Sequence, residues 1–465
     1  MVRIFRHYVS PVKLTLAMVD LALVLCCVVA AEYVRYATIG LPWTIASGLE
    51  AWIAKLLVPL SCVGTMLGVG AYHSDSIQDF RVFVIRLAVS LLAAGVFLSA
   101  LLYFLPMLPL WRSILVLSLV IAASVLFVTH GLFQLFGSAK LIGQRVLILG
   151  AGKLALELQQ YAAQARDAGL NIIDVVMLPG EKKPAPNAII LDDIETLDHY
   201  ATEQDIEMII LANDEEDAQL PLEPLIACKL AGIEIKDRLS FYEQVRGYVE
   251  LTSVRSEWII FSDGFRGGSG IERMAKRLLD VTVSLVVLAI ATPAMLLVAL
   301  LVKLTSRGPV FYRQQRVGMH GKPFDLFKFR SMRVDAEASG APQWAQKNDP
   351  RVTPIGSFLR KTRLDELPQV LNVLSGSMSF VGPRPERPYF VEQLSSEVPF
   401  YRERHCVKPG ITGWAQIQYP YGASVEDARR KLEYDLYYIK NYSLFLDLLI
   451  ILQTMRVILF PSGAR

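Results

Sequence analysis

Four apolar stretches fill the first third of the chain: Leu14–Tyr33, Leu56–Tyr72, Val82–Phe104 and Trp111–Phe136. Each approaches the ~20 residues an α-helix needs to cross the hydrocarbon layer of a bilayer. Backbone polar groups in lipid must find partners within the segment, so this third has to be helical. The first stretch is followed by three more and has no clean small-residue cleavage site, which argues against a removable leader. Arg3, Arg6 and Lys13 precede the first stretch, Arg81 and Arg86 lie at the second connection, and Lys140 and Arg145 follow the fourth. The other two connections carry less positive charge, with Arg35 and Lys55 at the edges of one and Arg112 at the other. The positive-inside rule therefore puts both ends of this bundle in the cytoplasm. Asp20, within the first stretch, is costly in lipid and is expected to face another helix as a buried packing carboxylate.

From about residue 143 to 263 the pattern changes to short apolar strands separated by helical runs. Strands are expected at Arg145–Leu149, Ile172–Leu178, Ala188–Leu191 and Met208–Ala212, an alternation that predicts a Rossmann-like parallel sheet. After the first strand, Gly150-Ala151-Gly152-Lys153-Leu154-Ala155 opens a helix and fits G-x-G-x-x-A, a loop that can offer backbone N–H groups to a pyrophosphate. No clean acidic residue ends the second strand, and Asp174 lies inside it. Gly150 and Gly152 are thus a possible nucleotide loop, with a regulatory site and a purely structural module both open.

A glycine-rich linker, Phe261–Gly270, leads into an uncharged run, Val281–Val302. Thr292-Pro293 interrupts this run, and proline removes a helix hydrogen bond. Lys276 and Arg277 precede the run and Lys303 and Arg307 follow it, so both ends belong on one face of the membrane. These features predict a kinked, re-entrant helical hairpin. A straight span, the alternative, would place everything downstream on the far side. The remainder is polar and dense in motifs, and Asn441–Phe460, broken by Asp447 and Arg456, reads as an amphipathic helix in the membrane interface or packed on the soluble fold. Charge is nearly balanced, 47 basic against 44 acidic residues, which gives no electrostatic footprint for nucleic acid. Five cysteines without a C-x-x-C pair indicate neither a disulfide framework nor a zinc site.

The chemistry-bearing residues concentrate after residue 305. Asp365 and Glu366 stand just before Pro368 and an apolar run that predicts a helix, so they are expected near its positive end, where phosphates are favoured. Adjacent carboxylates can divide tasks, one attacking phosphorus while the other holds Mg²⁺. Alternatively they are an N-cap and its solvated neighbour. Arg360, Lys361 and Arg363 lie alongside, Lys328 and Arg330 alternate with aromatics, and Pro383-Arg384-Pro385-Glu386-Arg387-Pro388 is a stiff loop holding two arginines. Trp414, in Lys408-Pro409-Gly410-Ile411-Thr412-Gly413-Trp414, is read as a candidate exposed indole. The adjacent His405 and Cys406 are not read as a nucleophilic pair, which needs spatial opposition.

Taken in order, Arg277, Thr292-Pro293, Gly308-Pro309-Val310, Gln315-Arg316-Val317-Gly318, Lys328-Phe329-Arg330-Ser331-Met332, Leu364-Asp365-Glu366-Leu367-Pro368-Gln369, Val381-Gly382-Pro383-Arg384-Pro385 and the Lys408–Trp414 segment resemble the bacterial polyprenyl-phosphate hexose-1-phosphate transferases. The resemblance covers the whole chain and is strongest from about residue 272 onward. It implies a membrane α-helical bundle plus α/β fold. The implied parts are a four-helix transmembrane domain (1–140), a Rossmann-like cytoplasmic domain (141–263), a linker (264–271), a re-entrant membrane helix (272–304) and an α/β catalytic domain with interfacial helices (305–465). It implies transfer of sugar-1-phosphate from a UDP-sugar, glucose first and galactose second, to undecaprenyl phosphate, releasing UMP. Asp365 would be the nucleophile, Glu366 the Mg²⁺ ligand, and Lys328, Arg360 and Arg384 phosphate-binding residues. The partners implied are the UDP-sugar, undecaprenyl phosphate and membrane lipid, with no nucleic acid. A homodimer in the bacterial inner membrane, its catalytic domain cytoplasmic, is the expected assembly. Family members commonly carry Ser-Pro where this chain has Thr292-Pro293, and many have serine where Arg363 stands, which leaves the role of Arg363 open. A membrane-anchored nucleotide-sugar dehydratase or epimerase would need a Tyr-x-x-x-Lys pair, and none occurs. A nucleotide-gated transporter would leave the Asp365 region without a purpose.

Overall fold

The computed structural model describes residues 2–40, 42–43, 48–136, 144–164, 170–179, 181, 188–191, 193–212, 220–254, 256–265, 269–334, 336, 349–420, 422 and 424–460. The middle of the expected linker, 266–268, lies outside them. The chain divides into two compact units, one centred on Tyr8–Arg246 and the other on Gly247–Arg465 with Phe5–His7.

The first unit begins with four long helices, α1 (Pro11–Thr38), α2 (Leu49–Val69), α3 (Phe80–Phe104) and α4 (Arg112–Phe136). All four are long and apolar enough to cross a membrane, as is a fifth helix in the second unit. Val24, Val28, Val58, Met66, Leu87, Leu98 and Leu126 form their shared core. Asp20 is buried and accepts from the Tyr72 hydroxyl at 2.8 Å, with His130 Nε2 at 2.9 Å from the same carboxylate oxygen. The His130 ring stacks on Phe83 at 4.1 Å, so the carboxylate faces neighbouring helices, as its cost in lipid requires. A second buried pair, Glu32–Lys55 at 2.8 Å, ties α1 to α2. Its two charges sit near the ends of apolar stretches, where charge alone says nothing about pairing.

The α/β part of this unit is a five-stranded parallel sheet. Its strands are β1 (Gln144–Leu149), β2 (Leu170–Val176), β3 (Ala188–Ile189), β4 (Met208–Leu211) and β5 (Glu234–Lys236), in spatial order β3-β2-β1-β4-β5. Helices α5 (Lys153–Gln164), α6 (Leu197–Glu203), α7 (Leu222–Leu230) and α8 (Arg238–Arg246) connect or follow the strands. Strand β1 is central, and its residues alternate between two cores. Val146 and Ile148 pack with Leu154, Leu158 and Phe241, whereas Leu147 and Leu149 pack with Leu197, Ile209 and Leu225. A strand buried on both faces reads as a continuous apolar run, which is why it was legible. Strand β5 was not anticipated, because Glu234-Ile235-Lys236 carries no such run.

In the second unit a single helix, α9 (Gly270–Thr305), opens with a capping box formed by Ser269 and Glu272. It runs through Thr292–Pro293 without a gap in the helix, so the expected interruption does not separate two helices. The Thr292 hydroxyl donates to the Leu288 carbonyl, supplying a local bond beside the donor that proline lacks. Near its start, Arg277 donates to the Val373 and Leu374 carbonyls at 2.6 and 2.7 Å, and Lys276 pairs with Asp447 at 2.8 Å. Near its end, Val298 and Val302 are buried with Phe329 and Leu359, and Arg330 donates to the Ser306 carbonyl at 2.8 Å. Both ends are therefore tied to the same α/β module.

That module contains an antiparallel ribbon, β6 (Phe311–Val317) with β7 (Pro323–Phe329), pairing Tyr312 with Lys328. Helix α10 (Pro354–Lys361), a 3₁₀ turn at Leu364–Glu366 and helix α11 (Gln369–Ser375) follow. Strands β8 (Ser379–Val381) and β9 (Gly410–Thr412) pair in parallel, and α12 (Pro388–Glu397), α13 (Trp414–Gln418), α14 (Val425–Lys440) and α15 (Leu444–Leu459) complete the unit. Helix α15 buries Asp447, bonded to Lys276 and to the Tyr438 hydroxyl, while Leu448, Met455 and Ile458 are exposed. Trp414 corrects the expectation of an exposed indole. It is buried, stacks on Tyr437 and donates to the Gly247 carbonyl at 2.7 Å. Residues 247–258, on the Rossmann-like side of the expected boundary, pack on this unit through Val249 and Leu251 against Glu433 and through Trp258 beneath Lys440.

Candidate active site

Arg363 begins the 3₁₀ turn in a left-handed conformation (φ 60°), which costs a non-glycine residue roughly 1 kcal/mol or more and fixes how the next residues project. Glu366 Oε1 accepts from Lys328 Nζ at 3.0 Å and from Arg384 Nη2 at 2.6 Å. Arg363 Nη1 stands 4.0 Å from the other carboxylate oxygen, Oε2. Three sequence-predicted residues are thus bonded in one cluster, and Asp365 adjoins it, 6% exposed. Arg360 donates to the Ser331 hydroxyl at 3.0 Å and, with Asp365, Glu366, Lys328 and Arg384, lines a cavity of about 600 Å³. Arg316, Arg330, Arg333, Arg351, Arg363 and Arg387 add to its walls. Such an excess of guanidinium groups around a few carboxylates suits a polyanion, and phosphate oxygens above all.

The two carboxylates are set apart electrostatically. Burial raises the Asp365 carboxyl above the usual range, and Lys328 offsets part of that rise. Burial acts on Glu366 in the same sense, but Arg384 and then Lys328 outweigh it and hold Glu366 ionised well below the usual range. Burial also lowers the Lys328 ammonium, and the Glu366 charge offsets this only in part. The expected helix-dipole assistance to Asp365 is not what the structure delivers. Helix α11 starts only at Gln369 and has seven residues, so burial decides the direction. Neighbouring carboxylates with pKa values pushed apart are a signature of divided roles.

Arg330 is held by Ser306, and its buried Nε and Nη1 atoms at the cavity wall have no hydrogen-bond partner among the described residues, an arrangement that suits an anion. Gly308 (φ 125°) makes room for this guanidinium, since a Cβ there would collide with it. Tyr401, Arg404 and Asp435 were missed by sequence reasoning. Arg404 is buried, pairs with Asp435 at 2.7 Å and donates to the Arg384 carbonyl at 3.1 Å, bracing the loop that presents Arg384. In sequence it is one charge among Arg402-Glu403-Arg404-His405, with nothing to distinguish it from a solvated run. Cys406 is pushed up to about 11 by burial and Glu403, and His405 down to about 4 by burial and Arg404, which suits neither to nucleophilic catalysis.

Thr292 and Pro293 lie within α9, away from the carboxylate cluster in sequence and without a bond to it. Gly150 and Gly152 lie in the first unit. There the amide of Ala151 donates to Glu181 Oε2 at 2.9 Å, so one donor a pyrophosphate would use is already engaged. The Asp174 carboxylate accepts from the Tyr200 hydroxyl.

Comparison with known proteins converges on the second unit. A family model described as bacterial sugar transferase matches residues 271–461. An Aeromonas hydrophila protein named UDP-N-acetylgalactosamine-undecaprenyl-phosphate N-acetylgalactosaminephosphotransferase is 44% identical over 241 residues, 52% of this chain and 56% of that one. The UDP-glucose:undecaprenyl-phosphate glucose-1-phosphate transferase of Escherichia coli K12 is 47% identical over 189 residues, 40% of each chain. The protein of the same name from Caulobacter vibrioides is 40% identical over 205 residues, 43% of this chain and 76% of its own. The match thus spans about half or less of the first two relatives and most of the third. Because it runs from the start of α9 through the whole carboxylate and arginine cluster, the chain belongs to the bacterial sugar transferase family.

Proposed function

We propose that the chain transfers a sugar-1-phosphate from a UDP-sugar to undecaprenyl phosphate, releasing UMP, as the first step of building an exopolysaccharide or O-antigen repeat unit. The observation that carries this reading is the Asp365–Glu366 pair set among Lys328, Arg384 and Arg363 in an arginine-lined cavity. An Asp365 carboxylate oxygen forms a bond to the sugar-linked phosphorus while the bridging bond to UMP breaks. The acceptor phosphate oxygen then takes the same phosphorus and frees Asp365. One anhydride replaces another, so no ATP is required. Arg360, Arg384 and Lys328 bind phosphate oxygens and mask the charge that would otherwise repel the carboxylate.

Mg²⁺ fits the residues present. Glu366 has Oε1 taken by two cations, its Oε2 faces only the more distant Arg363, and Asp365 adjoins it. One or two carboxylates completed by substrate phosphates is the usual mode for this ion. When bound, it would neutralise phosphate charge, and Glu366 would be its protein ligand.

UDP-glucose is the donor expected from the sequence, with UDP-galactose next. The name of the Aeromonas relative favours UDP-N-acetylgalactosamine as a further reading. UMP release by purified protein with undecaprenyl phosphate and each UDP-sugar in turn tests the activity and selects the sugar; no release with any of them overturns the proposal.

For topology, we infer that α9 enters and leaves the bilayer from the cytoplasmic face of the inner membrane. Its ends are held by neighbouring elements, since Phe327, three residues before Arg330, bonds Asn372 beside Val373, whereas 29 straight helical residues would hold Arg277 and Ser306 ~44 Å apart. A bend at Thr292–Pro293 reconciles the two. A carboxy-terminal reporter active only in the periplasm overturns this topology, and Pro293→Leu should weaken catalysis by straightening the helix.

A further inference from the structure

A second cavity, of about 320 Å³, abuts the first. The two share Arg363, Glu366, Arg384 and Glu386, and otherwise differ in kind. Away from that junction the larger one is walled by the β6–β7 ribbon, by Met332, Arg333, Val334 and Ala336, and by Arg351, and among the described residues none of α9 or α15 lines it. The smaller one is mostly apolar. Val287 of α9, Leu367, Val370 of α11, Phe380, Ile417 of α13 and Val457 of α15 form its apolar side, and Tyr401, Arg404, Lys431 and Asp435 line it as well. Helices α9 and α15 also carry large exposed apolar side chains, with Leu285, Val286 and Ile290 on one and Leu448, Met455 and Ile458 on the other. The apolar side of the cavity thus draws residues from two helices whose outer faces suit hydrocarbon, and the residues it shares with the larger cavity include two guanidinium groups.

We propose that this cavity receives the first isoprene units of the acceptor lipid, with the lipid phosphate held at Arg363 and Arg384. The inference rests on the transferase reading above, and adds where the acceptor binds and that donor and acceptor approach Asp365 through different openings. A cavity of this size is at the lower end of small-molecule sites, so it takes the head of a long polyprenyl chain and leaves the remainder in the bilayer. Charge complementarity is strongest at the shared residues, because Arg384 and Arg363 flank Glu366 there, whereas Arg404 on the same cavity is engaged by Asp435. It also gives Arg363 a role. A residue in a left-handed conformation at the junction of two cavities is placed to contact the lipid phosphate where it meets the phosphate being transferred.

The test uses the full chain in nanodiscs and the variant Val457→Trp, which fills the apolar cavity from a partly exposed position on α15. The KM for undecaprenyl phosphate should rise about tenfold or more, the equivalent of losing ~1.4 kcal/mol of acceptor binding. UMP release from UDP-sugar alone reports whether the variant is folded and its donor side works. Equal losses in the half-reaction and in acceptor use, or no change in either, overturn the proposal. Absence of UMP release from the wild type with undecaprenyl phosphate present would instead sink the transferase reading itself. Independently, a prenyl phosphate with a photoreactive group on its first isoprene unit should crosslink to residues 454–458 or 367–370. Crosslinks elsewhere, or crosslinks displaced equally well by phosphatidylglycerol, would show that the cavity holds ordinary lipid or none.

Discussion

Replacing Arg404 with methionine tests how the catalytic loop is held. The arginine side chain is 8% exposed and its partner Asp435 only 2%, and the guanidinium also donates to the Tyr401 hydroxyl and the Arg384 carbonyl. Methionine fills much of the volume but strands a buried carboxylate, a change that typically costs ~3–5 kcal/mol. For a unit of this size each kcal/mol shifts Tm by ~2–4 °C, so unfolding in nanodiscs should come about 6–20 °C earlier. The loss should depend on pH in a definite direction. Burial raises the Asp435 carboxyl and Arg404 pulls it back, so removing Arg404 leaves it raised further. A carboxyl whose folded pKa lies above its unfolded value favours the folded state at low pH, so the deficit of the variant should shrink as pH falls toward that pKa. The double variant Arg404→Met/Asp435→Leu removes both charges and should regain most of the lost stability, giving a coupling energy of ~3 kcal/mol or more in a double-mutant cycle. It should still turn over slowly, because the Arg384 carbonyl has lost its brace. A single variant within ~1 kcal/mol of wild type, or a double variant no more stable than the single, would refute the strut.

Asp365→Asn should abolish UMP release while UDP-sugar binding, measured by calorimetry, stays nearly intact. Retained release would make Asp365 a positioning group. Glu366→Gln should lower the rate by ~10²-fold or more and flatten its Mg²⁺ dependence, since an amide is a poor ligand for this ion. UMP release from UDP-sugar alone should rise with pH as the raised Asp365 carboxyl ionises. In Lys328→Met that rise should move to higher pH, because the ammonium that favours the ionised form is gone; an unmoved limb rules out Asp365 as the titrating nucleophile. Gly308→Ala should cost ~1–3 kcal/mol and reduce activity, since the new Cβ displaces the Arg330 guanidinium and sits at positive φ. Equal Tm values for variant and wild type would contradict this.

How much of this was legible before folding depended on range. The helices at Pro11–Thr38 and Phe80–Phe104 follow from stretches of apolar residues too long for any other element. The strand at Gln144–Leu149 follows from a short apolar run before a glycine loop. The Asp365–Glu366 pair and the arginine-bearing proline loop were visible because their residue types are chemically unusual together. What was not visible was long-range pairing. Arg404 with Asp435 and Glu32 with Lys55 join charges far apart in sequence, and composition gives no reason to choose those partners. Trp414 was misjudged for the same reason, since Gly247 and Tyr437 bury it from distant positions.

The sequence by itself determined the long apolar helices, the alternation of strand and helix behind the parallel sheet, and which residue types could handle phosphate. Those depend on periodicity and local chemistry, which are short-range properties. The tertiary structure alone decided the electrostatic roles. Asp365 was expected to be kept ionised by a helix terminus, yet burial raises its pKa, while Glu366 one residue away is held ionised by Lys328 and Arg384. Adjacent residues on one turn acquire opposite shifts because the charges and the solvent exclusion that act on them come from β7, the Arg384 loop and the surrounding cavity wall. Those neighbours exist only once the chain has folded.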